Sequence, residues 1–169
     1  MSFRSQLNHA LAQRGYTLDS SQYAAADRLE RLYDECVDYK EQRSNALKKL
    51  LAKPPVPRGV YLWGGVGRGK SFLMDLFFAA VPITRKTRVH FHQFIRSVHR
   101  ELDDLKGTEN PLDAVGERIA SRYRLICFDE FHVSDIADAM ILHRLLCKLF
   151  ERNVGFLMTL NYPPDGLYP

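Results

Sequence analysis

The stretch GGVGRGKS, residues 64–71, constrains the fold of this chain more than any other, because it sets four glycines between two apolar segments. VYLW leads into it and FLMDLFFAAV leads out of it. The first segment has the length of a strand, and the second has apolar residues at positions 73, 76, 77 and 80, the spacing of one helix face. The sequence therefore predicts a strand, a glycine-rich loop and a helix in succession.

The glycine-rich stretch also matches the pattern G-x-x-x-x-G-K-[ST]. Glycine accepts positive φ and lets backbone N–H groups close on phosphate oxygens, and the N-terminus of the following helix adds partial positive charge. We predict a phosphate loop that binds ATP, although a glycine-rich turn without a ligand remains the alternative. The predicted cofactor-binding residues are Gly64, Gly65, Val66, Gly67, Arg68, Gly69, Lys70, Ser71 and Phe72. Within the pattern, Lys70 reaches the β- and γ-phosphates and Ser71 ligates Mg²⁺.

A second pattern, LICFDE, follows further along the chain, with four apolar residues before Asp129 and Glu130. It is typical of a buried strand whose end lies beside a phosphate loop, where Asp129 holds Mg²⁺ through water. Glu130 is then placed to polarise an attacking water, and a second carboxylate favours hydrolysis over phosphoryl transfer to a metabolite. A strand that merely ends in two surface acids is the alternative interpretation.

Asn161 follows the last predicted strand, VGFLMTL, at residues 154–160. A polar side chain at that strand end would lie between the two preceding motifs, near the γ-phosphate. The alternative is an asparagine that starts the turn NYPPDG.

Strands that alternate with helices predict an α/β fold with a parallel sheet, here the core of a P-loop nucleoside triphosphatase. We expect a helical N-terminal segment over residues 1–57 and the core over 58–169, separated by the breaker KPPVPRG. The remaining predicted elements are helices over 3–14, from 22 to about 51, 95–105, up to about 123, and 134–151, and strands over 87–94 and 124–128.

Composition adds few constraints. The net charge of +4 fits either a solvated surface or a polyphosphate or nucleic-acid ligand. Lys86, Arg88, Arg96 and Arg100 form a loose basic cluster that we interpret as a solvated face.

Three widely spaced cysteines predict neither disulfides nor a zinc site. No signal or membrane-spanning segment is visible, so we expect a cytoplasmic protein. His90 and His92, on one face of the predicted strand, could be half a metal site but lack a third ligand; the role of His132 is open.

The segments RGVYLWGGVGRGKSFLMDLFF, RVHFHQFIRSVHREL, LICFDEFHVSDIADAMIL and NYPPDGLYP resemble the ZapE family of AAA+ ATPases, which are cell-division-associated and similar to a mitochondrial ATPase family. The resemblance is dense over residues 58–169. It implies that Lys70 and Ser71 contact phosphate and Mg²⁺, that Asp129 and Glu130 are the Walker B pair, and that Asn161 is the sensor-1 residue. The family usually has serine before that asparagine, where this chain has Leu160.

The resemblance also implies a tubulin-like division protein as partner, at the inner face of the membrane, and a possible homo-oligomer. Similar family members continue into an arginine that acts on the next subunit, a fifth sheet strand and a helical lid. We therefore expect the sheet order 5-1-4-3-2 without strand 5, an exposed edge at VYLW, and very slow hydrolysis by this chain alone. Two other functions stay open: a nucleic-acid-linked AAA+ protein of the helicase-loader type, and a nucleotide-gated binding module without turnover.

Overall fold

A computed structural model describes residues 2–42, 59–63, 68–133 and 135–160 of the chain, with the backbone alone for residues 21, 59–63, 68–70 and 160. After the first two helices, one or two helices lie between successive strands, in line with the predicted alternation. In chain order the elements are α1 (Phe3–Arg14), α2 (Ser20–Gln42), β1 (Gly59–Trp63), α3 (Arg68–Ala80), β2 (Lys86–His90), α4 (Phe91–Asp104), α5 (Pro111–Arg122), β3 (Leu125–Asp129), α6 (Ile136–Glu151) and β4 (Gly155–Leu160).

The four strands form one parallel sheet in the order β1-β4-β3-β2. The register places Trp63 opposite Leu160, Phe128 opposite Met158, and His90 opposite Asp129. This order confirms the predicted AAA+ arrangement of strands 1 to 4. Within the described residues β1 pairs with β4 alone, so the VYLW strand lies at an edge of the sheet.

Each face of the sheet is covered by its own set of helices, because successive strand residues point to opposite faces. Leu125, Cys127 and Leu157 pack with α1, α2 and α3 in one buried cluster. Ile126 and Phe128, with the alternate residues of β4, pack with α4, α5 and α6 in the other. The central strands are thus buried on both sides, which explains their near-continuous apolar sequences.

The two N-terminal helices belong to the hydrophobic core, because they share a buried cluster with α3 and one face of the sheet. Ser2 caps the start of α1, where its Oγ accepts a bond from Ser5 N at 3.1 Å, and Gly15, whose φ of 67° permits the left-handed conformation, caps its end. At the start of α2, Asp19 Oδ1 accepts from Gln22 N at 2.8 Å while Gln22 Oε1 accepts from Asp19 N at 3.0 Å, a reciprocal capping box. The predicted extension of α2 to residue 51 and the breaker at 53–58 lie outside the described residues.

The prediction of one strand over residues 87–94 is wrong. Strand β2 ends at His90 and α4 begins at Phe91. Phe91, Phe94, Ile95 and Val98 recur at helical spacing and are buried against β3, where the Phe94 and Phe128 ring centroids lie 4.8 Å apart. Apolar residues at 89 and 91 fit an alternating pattern over a short window, and the longer helical period prevails.

Other boundaries shift by a few residues. Helix α5 begins at Pro111, inside the predicted loop TENPLD, because proline is well tolerated in the first helical turn. Asp135 caps α6, where its carboxylate accepts from Ala137 N at 2.7 Å. In the part of the chain that the structure describes, no helix has the length and apolar character needed to cross a bilayer.

Candidate functional site

The carboxyl ends of the described strands meet at one edge of the sheet. Because the strands are parallel, β1, β3 and β4 end at the same edge of the sheet. In the sequence, the glycine-rich loop, Glu130 and Asn161 follow these three strands. Residues 64–67 and Asn161 lie outside the described residues, so their roles stay predictions.

The first turn of α3 carries the end of the phosphate-loop pattern. The helix begins at Arg68, so Gly69, Lys70 and Ser71 lie in its first turn. N–H groups in a first turn have no intrahelical acceptor, and together with the helix dipole they favour an anion. The Ser71 side chain is exposed, as a cation ligand requires. This turn therefore fits a phosphate and Mg²⁺ site in chemistry and position.

Phe72, a predicted cofactor-binding residue, is buried at 9% exposure. Its ring lies edge-on to that of Tyr16 at 6.0 Å, and the Arg14 guanidinium lies 5.3 Å from its centroid. The side chain thus anchors the first turn of α3 to the end of α1. What remains for a ligand at this position is the backbone N–H.

Asp129, at the end of β3, is held by Arg88 of the neighbouring strand β2. Arg88 Nε donates to Oδ2 at 2.7 Å and Nη2 donates to Oδ1 at 2.9 Å. The third guanidinium nitrogen, Nη1, donates to Asp75 on α3. The hydrogen bond to Asp129 is the main reason why the pKa of Arg88 is raised. Burial acts in the opposite direction, and the hydrogen bond to Asp75 raises the pKa further. Arg88 is therefore a permanent cation between two carboxylates.

Lys86, two residues earlier on β2, holds the other end of α3. Its Nζ donates to the carbonyl oxygen of Phe78 and, at 3.2 Å, to that of Val81. Burial lowers the pKa of Lys86. The predicted solvated basic face is therefore wrong for Lys86 and Arg88, whose charges meet acceptors on α3 and β3, and holds only for the two arginines of α4, which are exposed.

Glu130 has an unusual backbone conformation that β4 supports. Its φ is 55°, in the left-handed region of backbone conformation that residues other than glycine and asparagine rarely adopt. Glu130 N donates to Thr159 Oγ1 at 3.1 Å, and Phe131 N donates to the Thr159 carbonyl at 2.9 Å. Thr159 is 7% exposed and is the one buried polar residue found among the described residues. The sequence reasoning missed it; a lone hydroxyl in the apolar strand GFLMTL was the available signal.

The histidine pair does not form the half-site that the sequence suggested. His90 ends β2 and His92 lies in the first turn of α4, so the two do not share a strand face. Over the described ranges, no group of three or more histidine, cysteine or acidic side chains is arranged to hold a metal ion.

A parallel sheet of this order, with a glycine-rich loop and helix after β1 and an acidic pair at the end of β3, defines the P-loop core of an AAA+ ATPase. The chain belongs to the AFG1-like ATPase family, whose model matches residues 1–169. This membership also confirms the resemblance drawn from the sequence segments.

Curated relatives agree with that family. The chain is 42% identical over 176 residues to the cell division protein ZapE of Escherichia coli strain K12, covering 97% of this chain and 47% of the relative. It is 42% identical over 150 residues to lactation elevated protein 1 homolog B of Danio rerio, covering 82% of this chain and 28% of the relative. The chain thus spans about half the length of ZapE and a smaller share of the Danio rerio relative.

Solved structures support the fold alone, because their sequence identity is low. Domain III of the Thermotoga maritima replication initiation protein DnaA matches with a TM-score of 0.60 at 13% identity, covering 91% of this chain and 57% of that one. The DnaC helicase loader matches with a TM-score of 0.59 at 13% identity, covering 88% and 74%.

Proposed function

We propose that this chain binds ATP with Mg²⁺ at the carboxyl edge of its sheet and contributes to ATP hydrolysis. The observation that carries the proposal is the placement of Asp129 and Glu130, which leave β3 at the edge where α3 presents its N-terminal turn. The Arg88 bridge from Asp75 to Asp129 ties that helix to that strand end.

The residues present fit Mg²⁺, which prefers oxygen ligands and several retained waters. The Ser71 hydroxyl is a direct ligand in this proposal, and Asp129 binds through water. Each Asp129 oxygen accepts one bond from Arg88, and a carboxylate has about four acceptor positions, so acceptors remain for bound water. When bound, Mg²⁺ neutralises phosphate charge during phosphoryl transfer.

The chain's own side chains divide the remaining work. Lys70 and the N–H groups of residues 64–72 orient the phosphates. Glu130 orients the attacking water and accepts its proton on the carboxylate. The hydrogen bond that Glu130 N donates to Thr159 Oγ1 holds the backbone of this residue in place. Asn161, as the sensor-1 residue, places a polar group near the γ-phosphate.

The relatives extend the proposal to a biological role. ZapE is named a cell division protein, and we propose that the nucleotide state of this chain is coupled to a protein partner in division, a tubulin-like ring protein, on the cytoplasmic side of the membrane. The proposal includes a homo-oligomer in which a neighbouring subunit supplies an arginine, so slow turnover of this chain by itself is part of it. The division into residues 1–57 and 58–169 is likewise proposed.

Binding and hydrolysis are tested with a fluorescent ATP analogue and with phosphate release. Lys70→Ala is expected to weaken binding on the order of 10–100-fold, because it removes a charge-assisted contact. Glu130→Gln should keep binding and lower phosphate release by on the order of 10²–10⁴. Lys106→Ala, at a side chain 80% exposed, is the matched control and should change neither. Binding that survives Lys70→Ala unchanged would contradict the proposal.

The two other functions make different predictions. A helicase-loader role requires single-stranded DNA binding that weakens steeply with salt, which the division role does not. A binding module without turnover predicts that Glu130→Gln changes neither phosphate release nor partner binding. Salt-titrated DNA binding beside phosphate release therefore separates the three.

A further inference from the structure

We propose that Arg88 is a positioning residue that sets the spacing between the phosphate-binding helix α3 and Asp129, and so controls the Mg²⁺-dependent part of nucleotide binding. This inference rests on the proposed function, because it assigns a role within that site. Arg88 itself would touch neither nucleotide nor metal. It acts through the two carboxylates that its guanidinium joins.

The sheet alone does not fix this spacing. Helix α3 follows β1, while Asp129 ends β3, and β4 lies between these two strands. No backbone hydrogen bond therefore joins β1 to β3. The bond from Arg88 to Asp75 crosses from the sheet to the helix and supplies a direct link to α3.

The link reaches the helix close to the proposed metal ligand. Ser71 and Asp75 are four positions apart on α3 and both are exposed, so they lie on one face, one turn from each other. A guanidinium that holds Asp75 and Asp129 together thereby sets the distance from Ser71 to Asp129. These two residues are the ones through which Mg²⁺ would be held.

The geometry favours positioning over blocking. The bond pair from Nε and Nη2 is bidentate, which fixes the orientation of the carboxylate plane. Residues that orient a metal-binding side chain in this way typically change metal affinity by about 10–100-fold when removed. A blocking role would have the opposite sign, since removing Arg88 would then free Asp129 and strengthen Mg²⁺ binding.

Lys86 provides a matched control within the same strand. It also joins β2 to α3, but it bonds the carbonyl oxygens at the far end of the helix and does not contact Asp129. Lys86→Met therefore removes a comparable link between strand and helix without touching the proposed metal site. Arg100→Ala, at an exposed arginine of α4, controls for loss of charge.

The experiment measures the affinity of a fluorescent ATP analogue in Mg²⁺ and in excess EDTA, with a Mg²⁺ titration and a melting temperature without nucleotide. Mg²⁺ is expected to enhance the affinity for the ATP analogue, and Arg88→Ala should raise the Mg²⁺ concentration that gives half of this enhancement by about 10–100-fold. The affinity for the analogue in EDTA should change less than about threefold. Arg88→Lys should recover part of the loss, because it keeps the charge but not the bidentate contact. Lys86→Met should lower the melting temperature and leave the Mg²⁺ requirement unchanged.

Asp75→Ala, at a side chain 62% exposed, removes only the acceptor on the helix side of the bridge and serves if Arg88→Ala fails to fold. It is expected to raise the Mg²⁺ requirement as well, by a smaller factor. A Mg²⁺ requirement within twofold of the unsubstituted chain in both variants, or a lowered one, overturns the inference. If the unsubstituted chain binds nucleotide with no Mg²⁺ enhancement, the inference falls and nucleotide binding stands; if it binds no nucleotide, both fall.

Discussion

The backbone N–H of Glu130 donates a hydrogen bond to the hydroxyl oxygen of Thr159, at 3.1 Å. Thr159 lies in β4, Glu130 directly follows the neighbouring strand β3, and Thr159 is almost fully buried. Glu130 has a positive φ and directly follows the last residue of β3, and Thr159 Oγ1 supplies the acceptor for its amide. A single side chain of β4 thus supports the conformation of the proposed general base.

Thr159→Val is expected to lower the free energy of unfolding by about 1–3 kcal/mol. Valine has nearly the same shape but no acceptor, so the Glu130 amide is left without its partner. Urea denaturation measures the loss. Thr159→Ser keeps the hydroxyl and should retain most of the stability and the phosphate release. Equal stability of the valine and serine variants would contradict the role given to this hydrogen bond.

Some parts of the site could be predicted because their signals are local. The loop and helix after β1 follow from glycine spacing and helical periodicity, and Asp129 and Glu130 follow from an apolar strand that ends in acids. The sheet order followed from the resemblance to a known family. These predictions required no knowledge of which side chains meet.

Contacts between distant residues could not be predicted. Arg88 shows in the sequence only as one of several cations, since its partners Asp75 and Asp129 lie 13 and 41 positions away. Strand and helix periods also coincide over a short window, so the segment from Phe91 to Phe94 gave no clear boundary. Its helical state depends on packing against Phe128. The acceptor role of Thr159 likewise exists only when β3 and β4 are paired.

Alkaline pH is expected to destabilise the fold through its two buried thiols. Burial raises the pKa of Cys36 and of Cys127 from 9.0 to about 12. The unfolded chain therefore loses these protons first, so their stabilising contribution is complete below pH 9.0 and is lost as the pH rises toward 12. Each thiol should contribute a slope of about 1.4 kcal/mol per pH unit in this window.

Urea denaturation between pH 8 and 11 checks this expectation, with the slope rather than the absolute stability as the readout. Cys36→Ala and Cys127→Ala should each flatten the decline. Cys147→Ala is the matched control, because it removes an exposed thiol in place of a buried one. If all three variants show the same slope as the unsubstituted chain, groups other than these thiols cause the loss of stability at alkaline pH.

Asp135→Ala is expected to cost about 1 kcal/mol, because Asp135 Oδ1 accepts from Ala137 N at 2.7 Å and caps α6. Asp135→Ser offers a hydroxyl oxygen in place of the carboxylate as the acceptor and should avoid most of the loss. Urea denaturation of both variants measures the difference, and nucleotide affinity should not change, since the cap contacts only the first turn of α6. A parallel loss of affinity would show that α6 is coupled to the site.

Glu130→Gly is expected to separate stability from function at one residue. The φ of 55° costs a side-chain-bearing residue about 1–2 kcal/mol, while the extra freedom of glycine in the unfolded chain offsets about 0.4–1 kcal/mol of the relief. The variant should therefore match the unsubstituted chain in stability or exceed it by up to about 1.6 kcal/mol, although it loses the proposed base and phosphate release. Asn153→Gly, at a φ of 61° in the turn before β4, should change stability less, because asparagine tolerates this region, and should not affect phosphate release. A loss of more than about 1 kcal/mol in Glu130→Gly would mean that the Glu130 side chain stabilises the fold, and the positive φ would then not mark strain retained for hydrolysis.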